Sequence, residues 1–331
     1  ECPAGRMGTA PNPSAPGSPG PTDTTVDVAD NRDFIFVGTG FTTDASGHPY
    51  TTGTITSTRE VTHDASHTPL VLLELNVAAS TWYNAVVAKA NGDQSLLESL
   101  TRPWTINFAG NSSADAFESG DVNDLFTGNG GNDTFIGEFG YDRAAYGHAT
   151  GPVDVELAAG TVTDIGSNPT GIGVDTLRSI ELVTGSNSAD IFNATGFSST
   201  STNAGSTVTS NTLGLFNEFE GRGGNDTITG NGATRVSYYH ATAGVTVVFN
   251  EGSWTSTVSG ASGTASGDAS VGHDTFTGGV NSVRGSFFDD TFTGSTNPFG
   301  TAENFEGYGG NDTINGGGGF DRAVYGNSFA G

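Results

Sequence analysis

The stretch Gly128–Gly147, GNGGNDTFIGEFGYDRAAYG, sets Asp133 and Asp142 nine residues apart, each reached through glycines. Two positions beyond them stand Phe135 and Ala144. Extending the same frame upstream gives four abutting nonapeptides: GNSSADAFE (Gly110–Glu118), SGDVNDLFT (Ser119–Thr127), GNGGNDTFI (Gly128–Ile136) and GEFGYDRAA (Gly137–Ala145). Asp115, Asp124, Asp133 and Asp142 hold one position of this unit, and Phe117, Phe126 and Phe135 hold another. A short fixed period decides the fold before any single residue does, because each unit buries its apolar side only against its neighbours.

Within each unit, six residues are mostly glycine, asparagine or polar, and three are strand-like around one apolar side chain. Glycine supplies the turn dihedrals and leaves backbone carbonyls uncovered. Turn and strand in alternation predict a coil of short parallel strands, mainly β, a β-roll or β-solenoid. Two units per winding would stack residues eighteen apart, pairing Asp115 with Asp133 and Asp124 with Asp142. Stacked carboxylates repel unless a cation lies between them. Calcium suits such a place, since it takes six to eight carboxylate and carbonyl oxygens in tolerant geometry. Zinc would want nitrogen or sulfur ligands that the unit lacks.

A longer period overlies the short one. FEGRGGNDTITG (Phe219–Gly230) and FEGYGGNDTING (Phe305–Gly316) match FTGNGGNDTFIG (Phe126–Gly137). Between them, YGHATGPVDVELAAG (Tyr146–Gly160) parallels YHATAGVTVVFNEG (Tyr239–Gly252), and GSNSADIFN (Gly185–Asn193) parallels GSFFDDTFT (Gly285–Thr293).

The unit resembles the GGxGxDxUx nonapeptide of the repeats-in-toxin (RTX), haemolysin-type calcium-binding family; GNGGNDTFI departs from it only at the second glycine. The resemblance covers roughly residues 110–331. It implies a parallel β-roll with calcium in the turns, type I secretion and folding outside the cell. Spacing and resemblance together give a candidate ligand set. In the first copy it is Asp115, Asp124, Asp133 and Asp142 with Gly128, Gly130 and Gly137. Asp226 stands for the second copy, and Glu303, Asp312 and Asp321 with Gly307 and Gly309 for the third. Asp226 has Asn217 and Thr234 as its neighbours in the short frame, so binding is expected to be weak or absent there. Glu303 replaces an aspartate but keeps the eighteen-residue spacing to Asp321.

Composition agrees with this reading and excludes others. The 331 residues carry 36 acidic and 11 basic side chains, a formal charge of -25, with 51 glycines. Such a surface repels phosphate backbones and anionic lipid, so nucleic acid is excluded and cations are the natural partners. Hydrophobic residues still make up 34%, with 21 phenylalanines, enough for a folded core. No apolar run long enough for a membrane span occurs. Cys2 is alone and cannot form an internal disulfide. The chain opens at Glu1 without a basic and apolar leader, as a fragment or mature form would.

Five segments follow: a Pro/Gly/Ser tether (1–25), a small mixed α/β domain (26–109), and repeat modules at 110–209, 210–294 and 295–331, the last cut short. In the mixed domain, Phe34–Gly38, Thr52–Val61 and Pro69–Val77 read as strands, and Ala78–Leu100 has helical spacing. Ser198–Thr212 and Ser253–Ser270 interrupt the short repeat and read as outward loops or hairpins, with flexible linkers as the alternative. Arg143 and Arg322 read as surface charges or partners of a loop carboxylate.

No catalytic constellation emerges. His63 and His67 share helical spacing but lack the glutamate of a zinc protease motif, and no GxSxG elbow occurs. Asp289 and Asp290, adjacent on a strand, would point to opposite faces. The expectation is a secreted, non-catalytic, calcium-stabilised repeat protein of a bacterial surface or matrix, with self-association into an array or fibre as a further expected partnership. The alternative is the calcium-stabilised secretion module of a secreted hydrolase.

Overall fold

The computed structural model describes residues 23–28, 32–43, 49–62, 69–78, 81, 105–166, 171–204, 216–250, 260–296 and 302–326. The chain divides into two compact units, one of residues 1–110 and 119–124, the other of 111–118 and 125–331.

The first unit is an antiparallel meander. Strands β1 (Asp23–Val28), β2 (Arg32–Thr43), β3 (Pro49–Thr62) and β4 (Pro69–Ala78) pair in sequence order, and β5 (Asn107–Ala109) returns against β4. The three strands expected here are present. Of the expected helix only Ala78, which ends β4, and Thr81 are described, and His63 and His67 lie outside the described residues.

The second unit is a β-roll of two facing parallel arrays. Its first windings are β6 (Ala116–Glu118), β7 (Leu125–Thr127), β8 (Thr134–Ile136) and β9 (Arg143–Ala145). Phe117 lies opposite Phe135 and Phe126 opposite Ala144, so one winding takes eighteen residues. Each triplet buries only its middle side chain. Phe126 reaches across to Phe135 from the opposite array at 5.4 Å, and the pattern recurs with Phe192 and Phe219 at 5.0 Å. Offset rings at such separations add to the apolar burial of a narrow core.

The count of eighteen then breaks. After β9 the chain runs through β10 (Val153–Glu156), back along β11 (Thr161–Asp164), and forward along β12 (Val174–Arg178). Strand β12 docks in parallel on β8, while β10 offers its far edge to β14 (Ile191–Asn193). Two strands are thereby added to the first array alone. The second array continues from β9 through β13 (Leu182–Thr184) to β15 (Asn217–Glu220). Strand β16 (Thr227–Ser237) turns a corner, pairing with β14 at its start and β15 at its end.

The same insertion follows again. Strands β17 (Thr246–Asn250), β18 (Ala261–Ser266) and β19 (His273–Arg284) form the second antiparallel meander. The roll then runs on through β20 (Thr291–Thr293), β21 (Ala302–Glu306), β22 (Thr313–Asn315) and β23 (Phe320–Val324).

Two details amend the expectations. The partner of Tyr146 in the long repeat is Tyr238, not Tyr239: both are buried, and the amides of Ala149 and Ala241 donate to their respective carbonyls. The described part of the segment opening at Ser198 exposes Ser199, Thr200 and Thr202, as an outward loop does, but its end is anchored in the roll. Its short 3-10 turn, Thr202–Ala204, carries a fully buried Asn203 whose amide bridges the backbone N–H and C=O of Ile180. The second interrupting segment contains β18, as a hairpin would. Among the described residues no helix is long and apolar enough to cross a membrane.

Candidate functional site

In the roll, outside β10, β11, β17 and β18, the buried apolar residue of a strand is preceded two positions earlier by an acidic or amide residue, or at Thr234 by a hydroxyl, and the parallel register sets these residues along two arrays. Along the first array each such residue is an aspartate, namely Asp115, Asp133, Asp175, Asp190, Asp226, Asp274, Asp290 and Asp312, with meander strands standing between Asp175 and Asp190 and between Asp274 and Asp290. Along the second the set is mixed, with Asp142, Glu181, Asn217, Thr234, Asn281, Glu303 and Asp321.

The aspartates of the first array bind main chain before anything else. Asp115 N–H donates to Asp133 Oδ1 at 2.9 Å, and Asp133 N–H donates to Asp175 Oδ1 at 2.9 Å. Asp190 N–H donates to Asp226 Oδ1 at 2.8 Å, Asp226 N–H to Asp274 Oδ1 at 3.1 Å, and Asp290 N–H to Asp312 Oδ1 at 3.0 Å. At the meander entries Val153 N–H donates to Asp190 and Val245 N–H to Asp290, both at 2.7 Å. One carboxylate oxygen therefore closes the backbone of the neighbouring winding, which removes the cost of an unpaired buried N–H. The other oxygen folds back over its own turn. In Asp190 and Asp290 it takes the amides of Ser186 and Ser286. In Asp133 and Asp226 the same oxygen, Oδ2, is buried with no hydrogen-bond partner.

The turn glycines make room for that fold. A Cβ added to Gly128 would overlap the Asp133 carboxylate, and Gly137, Gly221 and Gly307 stand likewise beneath Asp142, Asp226 and Asp312. Gly130 lies instead against the carbonyl of Gly171, and Gly309 against Phe287. The second glycine missing from the repeat is compensated by strain: Asn129, Arg222 and Tyr308 at that position adopt φ of 69°, 66° and 74°, a region that side chains with a Cβ rarely occupy. Gly128→Ala is expected to destabilise by about 1–3 kcal/mol, as overpacking does. Thermal unfolding against Gly326→Ala, which meets nothing within 4 Å, measures it; equal melting of the two variants would mean that the carboxylate swings aside.

Burial raises the acids. Desolvation pushes Asp133 up to about 6, against the Asp115 amide that pulls it down. Desolvation likewise carries Asp175 to about 7 and Asp190 to about 6. Asp226 rises furthest, to about 9, from desolvation and then the neighbouring Asp274 charge. Asp274 itself accepts from the buried Tyr238 hydroxyl at 3.0 Å, and Tyr146 stands by Asp175 in the first copy.

The expected ligand residues fall into place unevenly. Asp115 and Asp133 are brought together as neighbours. Asp124 belongs to the first unit, where it accepts the amides of Ile106 at 2.5 Å and Gly120 at 3.4 Å. Asp142, fully buried, donates its N–H to Glu181 at 3.2 Å. Glu303 lies opposite Asp321 as its spacing predicts, and its Oε2 takes the Ser295 amide at 2.9 Å. Asp226 does not stand between Asn217 and Thr234: those two pair with each other in the second array, and Asp226 stacks between Asp190 and Asp274. The meanders shift the long-range register, which the count of nine does not follow. Asp175, Asp190, Asp274 and Asp290 were missed as site residues for that reason, although each precedes a buried Leu177, Phe192, Phe276 or Phe292 by two positions. Asp289 and Asp290 lie in the turn before β20 and not on a strand as expected, Asp289 exposed and Asp290 buried.

Outside the second array lies a separate charge network. Glu218, fully buried, meets Arg143 at 2.7 Å, Arg235 at 2.5 Å and Arg284 at 3.1 Å. Arg284 and Arg235 also reach Glu306, at 3.2 and 3.7 Å, and Glu220 pairs with Arg143 and His240. Arg143 is thus tied to strand carboxylates and is no loose surface charge. Burial would raise the Glu218 carboxyl, but attraction to Arg235, Arg284 and Arg143 outweighs it and holds it below its ordinary value.

The residues present fit a hard divalent cation. Among the described residues no three His, Cys, Asp or Glu side chains converge into a metal-holding group, so main-chain carbonyls would have to complete the shell. Buried carboxylate oxygens without donors, in turns lined by carbonyls, are the donor chemistry of calcium and not of zinc. No protein-family model matches the chain, and no curated protein matches it either.

Proposed function

We propose that this chain is a calcium-binding, RTX-like β-roll with a structural or adhesive role at a bacterial surface or matrix, which folds after secretion when it meets calcium. The observation that carries the reading is the pair of buried Asp133 and Asp226 oxygens without a hydrogen-bond donor. A buried carboxylate left so must take a proton or a cation. Asp133 with the turn of Gly128 and Gly130 would hold one ion, Asp226 with Gly221 a second, and Asp312 or the Glu303 and Asp321 pair a third. When bound, calcium supplies charge neutralisation; the chain's own carboxylates already close the neighbouring backbone.

Calcium acts here as a folding ligand. Sites with the roughly 10⁻⁴ to 10⁻³ M affinity of extracellular modules fill outside the cell and empty at cytosolic concentrations. Each then stabilises the folded form by roughly 1.4 kcal/mol per tenfold excess of calcium over its dissociation constant. The buried acids face backbone amides, which supports a structural role over a catalytic one.

Asp133→Ala is expected to raise the calcium concentration at which β-structure appears by circular dichroism. An unchanged titration rejects this site.

A further inference from the structure

We propose, building on the calcium reading, that in the second array β15 and the C-terminal ends of β16 and β19 form a cation-independent nucleus, from which the rest of the roll, the Asp226 turn included, is ordered by calcium. The two ends of the roll carry acids in both arrays. At the start stand Asp115 and Asp133 in the first and Asp142 in the second; at the end stand Asp290 and Asp312 against Glu303 and Asp321. The central windings differ. In the second array they hold Asn217, Thr234 and Asn281, none of which carries charge.

The side-chain amide nitrogens of Asn217 and Asn281 and the hydroxyl of Thr234 are paired within the protein. Asn217 Nδ2 donates to Asn231 Oδ1 at 3.0 Å, Asn231 Nδ2 to the Phe197 carbonyl at 3.2 Å, and Asn281 Nδ2 to the Gly232 carbonyl at 2.7 Å. The Asn231 N–H donates to the Thr234 hydroxyl at 3.0 Å. None of the three carries a charge for a cation to neutralise; Asn217 Oδ1, buried without a hydrogen bond, is a neutral amide oxygen.

The charge network covers the outer side of the same strands. Glu218 on β15 binds Arg143 on β9, past β13, and Arg284 on β19, past the end of β16. Arg284 continues to Glu306 on β21. The ion pairs therefore strap strands β9 to β21 side by side, with Phe216 laid over Arg235 at 5.0 Å. In the middle of the second array, opposite charges supplied by the chain take over the role that calcium has at the ends. Local stability differs along a roll because each winding touches only its neighbours.

Hydrogen exchange of the full chain, read by mass spectrometry at neutral pH with calcium and with excess chelator, tests this. Chelation is expected to speed exchange at β6, β8, β20 and β22 by about a hundredfold or more, while β15 and the C-terminal ends of β16 and β19 change by about threefold or less. In Glu218→Gln the central protection is expected to disappear in chelator and to persist with calcium. Uniform loss along the whole roll on chelation overturns the nucleus and leaves the calcium reading standing. No change in any strand overturns both. Central protection that survives chelation in Glu218→Gln overturns the assignment to the charge network.

Discussion

Glu218→Ala is expected to lower the unfolding free energy by about 3–5 kcal/mol, the range seen when one partner of a buried ion pair is removed. The wild-type carboxylate is fully buried and in contact with three guanidinium groups, each 17–21% exposed. Removing it leaves Arg143, Arg235 and Arg284 facing one another across three strands, with only Glu220 and Glu306 to divide among them. Partial exposure of the arginines lets water relieve some repulsion, which places the loss toward the lower end. Chemical denaturation at saturating calcium reads the loss as a lower midpoint at unchanged slope. A loss below about 1 kcal/mol, the worth of an exposed pair, would show that the network contributes no more than surface decoration.

The calcium-free protein is expected to become more stable as the pH falls from about 9 to about 5, the reverse of an ordinary acid-sensitive domain. Asp133 and Asp190 lie at about 6, Asp175 and Glu181 at about 7 and Asp226 at about 9 when folded. In the unfolded chain aspartate and glutamate return to about 3.9 and 4.3. Between these limits the folded form binds more protons than the unfolded, so stability decreases with rising pH. The contribution is complete below about pH 4 and is lost as the pH climbs through 6 to 9. Calcium requires the ionised acids, so its binding is expected to weaken over the same descent, and the calcium-loaded protein to lose the slope. Melting temperatures at pH 5 and pH 8.5 should differ by more than ~5 °C without calcium, since 1 kcal/mol moves a domain of this size by a few degrees. A metal-free melting temperature that rises with pH would reject the buried acids as the cause.

Much of the roll was legible because its period is local. An aspartate every nine residues and an apolar side chain two beyond it specify one turn and one three-residue strand, and a repeat that cannot bury its own face must stack. Phe117 over Phe135 and Glu303 opposite Asp321 follow from that count alone. The meanders were not legible in the same way. The alternating valines of 153–157 and 245–249 announce strands, but not that β10 and β17 leap two places ahead in the array before the chain returns. Hence Asp226 was assigned neutral neighbours, and the acids that flank it, Asp190 and Asp274, went unassigned.

What the amino-acid order determined by itself was the repeating unit: its turn chemistry, its strand length, the buried ring and the acid that precedes it. Those depend on dihedral preferences and alternation within nine residues. Only the tertiary structure decided which acids meet, that each spends one oxygen on a neighbouring amide, and that Glu218 gathers arginines from β9, β16 and β19. Those contacts join residues 17 to 75 positions apart. Their partners are set by how inserted strands displace the register of the arrays, a property of the packed roll that no single repeat contains.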